Sequence, residues 1–349
     1  MSSTQDLVIY GGPTVRRLLE GQERRVMEVL REAYSVYAGH ACSLPQSTFL
    51  RFGQNTANRI IALPAYVGGR FDVAGFKWVA SFPENRHKGL DRASATLTLN
   101  EVVHGRPVAV MEASSINAHR TAGSAAIAAQ LLCEGNDPDR FALVGCGYIG
   151  AELANYLLRV FPSVNRAVLL DSERSRAEYL RSHLQANHEN LAVELASDIE
   201  HAAHGCPIVC FATSAGSPWI SRREIFEPES VVLHISLRDL SASVILECNN
   251  VVDDIGHVCR EKTSVHLAEM ESKSRAFIGA ELPFLIDGSK SFLRDPSKPT
   301  VFSPFGLGIL DVALGHWIMR EAARSGAGDV IRQFFPTQWG AMQPLGDRE

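Results

Sequence analysis

The sequence predicts an α/β protein with two unlike domains: a central domain built on a parallel sheet, and an α+β N-terminal domain that C-terminal helices complete. Residues 140–255 alternate short apolar runs with polar segments of helix length, which indicates parallel strands with helices on both faces. Residues 59–112 carry strand-like runs separated by short turns, as is typical of a mostly antiparallel sheet. Residues 307–319 are apolar at helical spacing, which predicts a helix that returns to the first domain.

The N-terminal domain begins with a helix predicted over Leu18–Tyr37 from its apolar periodicity. Strands are predicted at 59–64, 73–79, 95–99 and 108–112. The alanine-rich segment Asn117–Leu132 predicts a helix that links the two domains. The central strands are predicted at 141–145, 167–171, 191–195, 207–212, 231–236 and 250–253. We therefore expect residues 1–121 with 300–349 to form the first domain and residues 122–299 to form the second.

A glycine motif opens the central domain. Gly145, Gly147 and Gly150 form the pattern GxGxxG after an apolar strand and before a helix-compatible segment that starts at Tyr148 and Ile149. In a dinucleotide-binding turn, the first glycine permits the tight turn, the second lets the backbone approach the pyrophosphate, and the third lets the helix pack against the strand. The helix then directs its N–H groups at the phosphates. This context predicts a Rossmann domain that binds a nicotinamide or flavin cofactor.

The acid that ends the next strand predicts which cofactor binds. Asp171 lies 21 residues after Gly150, where a carboxylate accepts hydrogen bonds from ribose hydroxyls and repels a 2′-phosphate. NAD is therefore the predicted cofactor. Arg174 and Arg176 would hold a phosphate if Asp171 turned away, but we interpret them as solvated charges on a helix face.

Composition excludes several classes of protein. The chain has 349 residues, of which 46% are hydrophobic and 21% charged, as is typical of a globular enzyme with two domains. Its net charge of -5 disfavours binding to nucleic acid or to an anionic membrane. No apolar run approaches the roughly 18 residues that cross a bilayer, and the N-terminus lacks a basic-then-apolar signal pattern. We expect a cytoplasmic protein that acts on a small molecule.

The seven cysteines are odd in number and scattered, and several lie in apolar runs, which predicts free thiols. His201, His204 and Cys206 lie close together in the sequence, but no second pair with ligand spacing accompanies them. We therefore predict no metal site.

Four stretches resemble the ornithine cyclodeaminase/mu-crystallin family, and the resemblance covers nearly the whole chain. They are Lys77–Asn85 (KWVASFPEN), Ala118–Ala122 (AHRTA), His234–Leu240 (HISLRDL) and Phe302–Gly308 (FSPFGLG). These stretches are most similar to the branch that makes 2,3-diaminopropionate for siderophores and peptide antibiotics. The resemblance implies oxidation of N-((2S)-2-amino-2-carboxyethyl)-L-glutamate by NAD, followed by hydrolysis of the imine to 2,3-diaminopropionate and 2-oxoglutarate. It also implies a homodimer formed through the N-terminal sheets.

The resemblance implies roles for individual residues. Lys77 would bind a substrate carboxylate and assist proton transfer. Arg120 would clamp a carboxylate with two parallel hydrogen bonds, a task that suits guanidinium better than ammonium. Asp239 would position or deprotonate the water that attacks the imine. Further cofactor contacts are implied at Thr213, Ser214, Ser236 and Ser303.

Other interpretations of these residues stay open from the sequence alone. Lys77 is equally well explained as a solvent-facing strand residue, Arg120 as a surface charge, and Asp239 as the cap of a helix that begins near Ser241. Additional carboxylate ligands for a polyanionic substrate are conceivable at Arg51, Arg92 and Arg238, although structural roles are commoner for such residues.

Two departures from the family pattern disfavour ornithine cyclisation. Cyclodeaminases carry a substrate arginine roughly where this chain has Leu44–Ser47, and a glycine-rich pattern where it has Ser236–Leu240. The rival enzymes on this scaffold are an ornithine cyclodeaminase, an alanine dehydrogenase and a ketimine reductase. A rival without catalysis is a mu-crystallin-like protein that binds NAD(P)H and a small ligand.

Overall fold

The computed structural model describes residues 6–53, 55–133 and 135–335. The elements of the first part are β1 (Leu7–Tyr10), α1 (Gly12–Leu19), α2 (Glu23–Ala38), β2 (Cys42–Ser43), β3 (Thr48–Phe52), β4 (Asn55–Val67), β5 (Val73–Ser81), β6 (Ala93–Glu101), β7 (Pro107–Glu112) and α3 (Ser114–Leu132). A short 3₁₀ helix, Pro83–Lys88, connects β5 to β6. The single helix predicted over Leu18–Tyr37 is wrong: α1 ends before Gly21, whose φ of +69° breaks the helix.

The second part of the chain alternates strands with helices. Its elements are β8 (Arg140–Val144), α4 (Tyr148–Val160), β9 (Arg166–Leu170), α5 (Arg174–Asn187), β10 (Ala192–Leu195), α6 (Ile199–Ala203), β11 (Ile208–Phe211), β12 (Val231–His234), α7 (Ala242–Leu246), β13 (Asn249–Val252), α8 (Ile255–Val258), α9 (Ser264–Ser272), β14 (Ile278–Glu281), α10 (Leu282–Ile286) and β15 (Thr300–Ser303). The chain then forms α11 (Gly308–Ser325) and β16 (Asp329–Ile331).

The first sheet has eight strands, in the order β16-β1-β7-β6-β5-β4-β2 with β3 paired to β4. Its pairs are antiparallel, as predicted, except for β1 with β7. Side chains alternate between the two faces of a strand. In β5, Lys77 and Ser81 are buried, whereas Phe76 and Trp78 are 40% and 39% exposed on the opposite face. Lys77 therefore points into the protein.

The second sheet also has eight strands, all parallel, in the order β10-β9-β8-β11-β12-β15-β13-β14. This arrangement confirms the predicted α/β class and all six predicted central strands. Strands β14 and β15, which have four residues each, were not predicted. The predicted boundary at residue 300 assigns β15 to the first domain, whereas its pairing with β12 and β13 places it in the second sheet.

Two helices join the sheets. The predicted linker helix is α3, which begins at Ser114 and is buried along most of its length. The predicted C-terminal helix is α11, which packs on β4, β5 and β6. A Cβ on Gly315 would lie 2.3 Å from Leu97 Cδ2, and one on Gly308 would lie 3.1 Å from the Leu63 carbonyl oxygen. These glycines allow α11 to approach the sheet closely, which brings Asp311 beneath β5.

Three further expectations concern the chain as a whole. All seven cysteines are free thiols, as predicted. Within residues 6–53, 55–133 and 135–335, no helix is long and apolar enough to cross a membrane. The same described residues contain no group of three or more His, Cys, Asp or Glu side chains arranged to hold a metal ion. His201 pairs with Glu194 (2.7 Å), and Cys206 is buried, so these two side chains face different surroundings.

Candidate active site

A cleft of about 1580 Å³ runs along the carboxyl ends of the central strands. Its walls come from the glycine loop, the ends of β8, β9 and β11, the start of α3 and the segment 89–94 of the first domain. Open α/β sheets bind their ligands in this position. The volume exceeds the range of about 300–1,000 Å³ typical of a site for one small molecule. The cleft therefore has room for a dinucleotide together with a substrate.

The three glycines of the motif differ in what surrounds them. Gly145 has a φ of +100°, and a Cβ there would lie 2.6 Å from the backbone carbonyl that follows β11. A Cβ on Gly150 would lie 2.1 Å from the Gly145 carbonyl oxygen, so the fold itself requires both glycines. A Cβ on Gly147 would meet no atom of the described residues within 4 Å, which leaves the backbone open to the cleft. Tyr148 and Ile149 begin α4 and line the cleft. This loop fits the approach of a pyrophosphate.

Asp171 lies in the cleft wall, where its side chain also fixes the glycine loop. Its Oδ2 accepts the Cys146 N–H (2.7 Å) and its Oδ1 accepts the Glu173 N–H (2.8 Å). Each carboxylate oxygen has two lone pairs, so both can still accept ribose hydroxyls. Arg174 and Arg176 each pair with a neighbouring glutamate, at 3.1 and 2.8 Å, as expected for charges on a helix face. Arg176 nevertheless contributes to the cleft wall.

Lys77 is part of a buried ion pair. Its Nζ lies 2.8 Å from both Asp311 carboxylate oxygens and donates to Asn117 Oδ1 at 2.7 Å. Burial and the nearby Arg120 charge lower the pKa of Lys77 to about 8, against the opposing effect of Asp311. Lys77 is only 1% exposed. The interpretation of Lys77 as a solvent-facing residue is therefore wrong.

Arg120 converges on the same two partners as Lys77. Its Nη2 donates to Asn117 Oδ1 (2.6 Å), and its Nε lies 3.3 Å from Asp311 Oδ1. Two cations share one carboxylate, which leaves a net positive charge in this cluster. Asn117, which accepts from both cations, lines the cleft. The cluster is therefore placed to attract a substrate anion to this end of the cleft.

A loop from the second domain packs on the Arg120 guanidinium. Gly306 has a φ of +92°, and a Cβ there would lie 2.4 Å from Arg120 Nη1. The N–H groups of Phe305 and Gly306 donate to Asp253, at 2.8 and 2.7 Å. Burial raises the pKa of Asp253 to about 6, although these backbone donors act in the opposite direction. Asp253 thus holds the loop against Arg120.

Asp239 forms a second buried cluster behind the cleft wall. Its Oδ1 accepts the Thr213 hydroxyl (2.5 Å) and the Trp219 indole N–H (2.9 Å), and its Oδ2 accepts the Ser236 hydroxyl. Its backbone N–H donates to His234 Nε2 at 3.1 Å. Burial raises the pKa of Asp239, but its contacts with His234, Ser236 and Thr213 outweigh burial and lower this pKa to about 2. Asp239 is ionised and adjoins the cleft through Thr213 and Trp219.

The remaining predicted residues lie in or near these clusters. Ser214 lines the cleft beside Thr213. Ser303 is buried and contacts His234 Nδ1 at 3.2 Å, so Ser236 and Ser303 support the Asp239 cluster and are not part of the cleft wall. The cap of α7 is Ser241, whose Oγ accepts the Val244 N–H at 3.3 Å. The interpretation of Asp239 as that cap is therefore wrong.

Sequence reasoning missed three residues that organise the site: Asn117, Trp219 and Asp311. Asp311 carried a usable signal, because an acid inside an apolar helix is costly to bury unless it is paired. Asn117 and Trp219 carried no local signal, since their importance comes from contacts with residues far away in the sequence. The cleft wall also contains charged side chains from the first domain, namely Arg16, Asp91, Arg92 and Glu112.

Comparison with known proteins gives consistent results. The model of the ornithine cyclodeaminase/mu-crystallin family matches residues 20–327. The chain is 27% identical to N-((2S)-2-amino-2-carboxyethyl)-L-glutamate dehydrogenase of Staphylococcus aureus over 314 residues, which cover 88% of this chain and 93% of that protein. An archaeal alanine dehydrogenase dimer with bound NAD superposes with a TM-score of 0.84 at 25% identity, covering 95% of this chain and 100% of the other.

A further solved structure supports the same fold. Thermococcus litoralis Δ1-pyrroline-2-carboxylate reductase, solved with NADH and L-proline, superposes with a TM-score of 0.86 at 20% identity. The alignment covers 93% of this chain and 99% of the reductase. The overall fold of this chain is therefore shared with these two solved structures.

Proposed function

The chain belongs to the ornithine cyclodeaminase/mu-crystallin family, and from that premise we propose that it is an NAD-dependent dehydrogenase of an N-substituted glutamate. The observation that carries the proposal is the position of the Lys77–Arg120–Asp311 cluster, which adjoins the wall of the dinucleotide cleft through Asn117. A cofactor site and a buried cationic site for a carboxylate thus meet in one cleft, as an amino-acid oxidoreductase requires.

The residues present fit NAD. The open backbone at Gly147 accommodates a pyrophosphate, the start of α4 supplies N–H groups, and Asp171 accepts from ribose hydroxyls. Thr213 and Ser214 line the adjacent wall. When bound, NAD supplies the hydride acceptor that oxidises the bond between the glutamyl Cα and the secondary amine to an imine.

The substrate end of the cleft performs binding and proton transfer. Arg120 holds the α-carboxylate beside the oxidised carbon, because its planar fork matches a carboxylate. Lys77, with a pKa lowered to about 8, exists partly as the neutral amine near pH 8 and accepts the proton that the substrate nitrogen releases. Asp311 fixes both cations, and Asn117 gives way to the incoming carboxylate.

Hydrolysis of the imine requires a positioned water. We propose that Asp239 acts through Thr213, whose oxygen lies between the carboxylate and the cleft. A carboxylate with a pKa near 2 is a weak base but a strong hydrogen-bond acceptor, so Asp239 positions the water by orienting Thr213. Addition of this water to the imine carbon gives a carbinolamine. Transfer of its hydroxyl proton to the nitrogen then breaks the C–N bond and yields 2-oxoglutarate and 2,3-diaminopropionate.

Two features support this substrate over alanine or pyrroline-2-carboxylate. The matched relative from S. aureus bears the name of this reaction and aligns over most of the chain. The cleft wall carries charged groups of both signs, Arg16, Arg92, Asp91 and Glu112, which suit a substrate with several carboxylates and amines. A cytoplasmic location and a role in making siderophore or peptide-antibiotic precursors belong to the same proposal.

The redox balance of the reaction tests the proposed function. Purified protein with NAD and N-((2S)-2-amino-2-carboxyethyl)-L-glutamate should release NADH and 2-oxoglutarate in equal amounts. Ornithine should give neither proline nor ammonia. A cyclodeaminase regenerates its NAD, so proline formation from ornithine without net NADH would replace the proposed substrate with ornithine. Turnover of alanine alone would favour an alanine dehydrogenase.

We also propose that the protein is a homodimer formed through the first sheet. Phe76 and Trp78 lie on the face of this sheet opposite Lys77 and are 40% and 39% exposed, which is unusual for two neighbouring aromatic strand positions. A second copy would cover them. Sedimentation velocity should show a dimer, and Trp78→Glu should convert it to a monomer.

A further inference from the structure

Three arginines meet on the sheet face that also carries Lys77. Arg51 of β3 and Arg59 of β4 are directly opposite in the antiparallel ladder, and Arg59 is opposite Ser81 of β5. Like charges in directly opposite positions destabilise a sheet. The third arginine, Arg238, comes from the loop after β12 and lies close enough to Arg59 for repulsion between them to lower the pKa of Arg238, in addition to the effect of burial.

One carboxylate balances this cluster. Glu261 Oε2 lies 2.6 Å from Arg51 Nη2, and the Glu261 carbonyl oxygen accepts from Arg238 Nη2 at 2.9 Å. Asp239 also attracts Arg238, but the oxygens of Asp239 are already occupied by Thr213, Trp219 and Ser236. Among the residues that the structure describes, three guanidinium groups therefore face one carboxylate that is available to them.

Arg59 has unused hydrogen-bonding capacity. Its Nε is buried and has no hydrogen-bond partner among the residues that the structure describes. Burial lowers the pKa of Arg59, and the charge of Arg51 acts in the same direction. An unpaired buried donor is destabilising, and more so when it is charged. An anionic ligand would remove this cost.

The cluster adjoins the candidate active site on two sides. Ser81, opposite Arg59, accepts from Arg92, which lines the cleft. Arg238 directly precedes Asp239 in the chain. Lys77 and Ser81 are four residues apart in β5, so their backbones are separated by about 13 Å on the same face. A ligand whose carboxylates are well separated fits this spacing better than alanine does.

We propose that Arg51, Arg59 and Arg238 form a second anion subsite, which binds a substrate carboxylate remote from the oxidised carbon. This inference rests on the proposed function. The remote carboxylate belongs either to the glutamyl side chain or to the diaminopropionate end, and both have the same chemistry. The subsite accounts for the selection of a substrate with several carboxylates over the monocarboxylate substrates of other enzymes with this fold.

Product binding tests the subsite without requiring turnover. The NADH complex is titrated calorimetrically with 2-oxoglutarate, with 2-oxopentanoate, which lacks the distal carboxylate, and with 2,3-diaminopropionate. In the wild type, 2-oxoglutarate should bind more tightly than 2-oxopentanoate. Arg59→Gln should weaken binding of one carboxylate product roughly 10- to 100-fold, the range of a charge-assisted pair. Loss of 2-oxoglutarate binding would assign the glutamyl side chain, and loss of 2,3-diaminopropionate binding would assign the other end.

Two further variants keep this test independent of folding. Arg51→Gln alters the most exposed member of the cluster and should weaken the same product. Arg25→Gln removes a surface arginine that pairs with Glu28 in α2 and should leave the binding of both products unchanged. The subsite is wrong if Arg59→Gln and Arg51→Gln both stay within about twofold of the wild type, or if the wild type binds neither product. If arginine variants weaken dicarboxylate binding but the tricarboxylate is not oxidised, the subsite stands and the proposed substrate falls.

Discussion

The two ends of the cleft are formed by different kinds of chemical group. The cofactor end is made largely of backbone: a loop with Gly145 at positive φ, the first turn of α4, and Asp171, which accepts loop N–H groups. The substrate end is made of buried charged side chains, with Lys77 from β5, Arg120 from α3 and Asp311 from α11. The first depends on local chain shape, and the second depends on how three distant segments pack.

This difference predicts different responses to mutation. Backbone donors are held by the fold of a short segment, so a substitution at the cofactor end that leaves the turn intact should leave the other cofactor contacts in place. Buried charges depend on each other, because removal of one leaves another uncompensated in a region of low dielectric. Removal of any one charge at the substrate end should therefore impair the whole cluster.

The largest effect is expected from Asp311→Asn, which removes the carboxylate that pairs with both cations at the substrate end. Loss of a buried ion-pair partner lowers the free energy of unfolding by about 3–5 kcal/mol, and here it leaves Lys77 and Arg120 repelling each other. Urea denaturation should show this loss, and turnover should fall by at least about 100-fold. Asp139→Asn removes an exposed pair with Arg140 and is the matched control. Equal stability of the two variants would contradict the buried-pair account.

The next prediction compares substitutions of two glycines at the cofactor end, Gly150 and Gly147. Gly150→Ala places a methyl group 2.1 Å from the Gly145 carbonyl oxygen, so it should lower the melting temperature and abolish NADH binding together. The methyl group of Gly147→Ala meets no atom within 4 Å in the part of the chain that the structure describes, so this variant should keep the melting temperature and weaken NADH binding about 10-fold or more. Thermal melts and fluorescence titration measure both quantities. Tight NADH binding by Gly147→Ala would show that the pyrophosphate does not approach this residue.

The same difference between the two ends of the cleft explains which of their residues could be predicted from the sequence. The glycine turn and Asp171 follow from a local pattern with a physical reason for each residue, and the strands around them follow from local apolar runs. The fold class, the linker helix α3 and the interior position of α11 were also predictable from periodicity. Asn117, Asp311 and the pairing of Arg51 with Arg59 were not, because they arise when segments far apart in the chain pack together.

A smaller effect is expected at Asp171, the residue at the cofactor end that we expect to select NAD over NADP. The wild type should prefer NAD to NADP, because the carboxylate repels a 2′-phosphate. Asp171→Ser should lower the ratio of kcat/KM for NAD to kcat/KM for NADP by roughly 10-fold. The reason is that the repelling carboxylate is gone and Arg176 in the cleft wall is available to the 2′-phosphate. The ratio of kcat/KM for the two cofactors measures this. Equal use of NAD and NADP by the wild type would refute the assignment.

The last effect depends on pH and concerns the Asp253 contact with the loop at Gly306. The pKa of Asp253 is raised from 3.8 to about 6, so the folded state binds more protons than the unfolded state between these values. Stability should therefore fall as pH rises from about 4 to 6, by at most about 3 kcal/mol from this group. Asp253→Asn should remove that decline. Denaturation at pH 4.5 and 6.5 tests this, and parallel behaviour of the two proteins would exclude Asp253 as the cause.

The most direct test of the account is a paired measurement on Arg120→Lys. The Kd for NADH and the KM for N-((2S)-2-amino-2-carboxyethyl)-L-glutamate are determined for this variant and the wild type. Lysine keeps the charge but loses the two-pronged geometry, so KM should rise roughly 10- to 100-fold. The Kd for NADH should stay within about twofold, because no cofactor contact is altered. An unchanged KM, or an equal loss of cofactor binding, would contradict the division of the cleft into two ends.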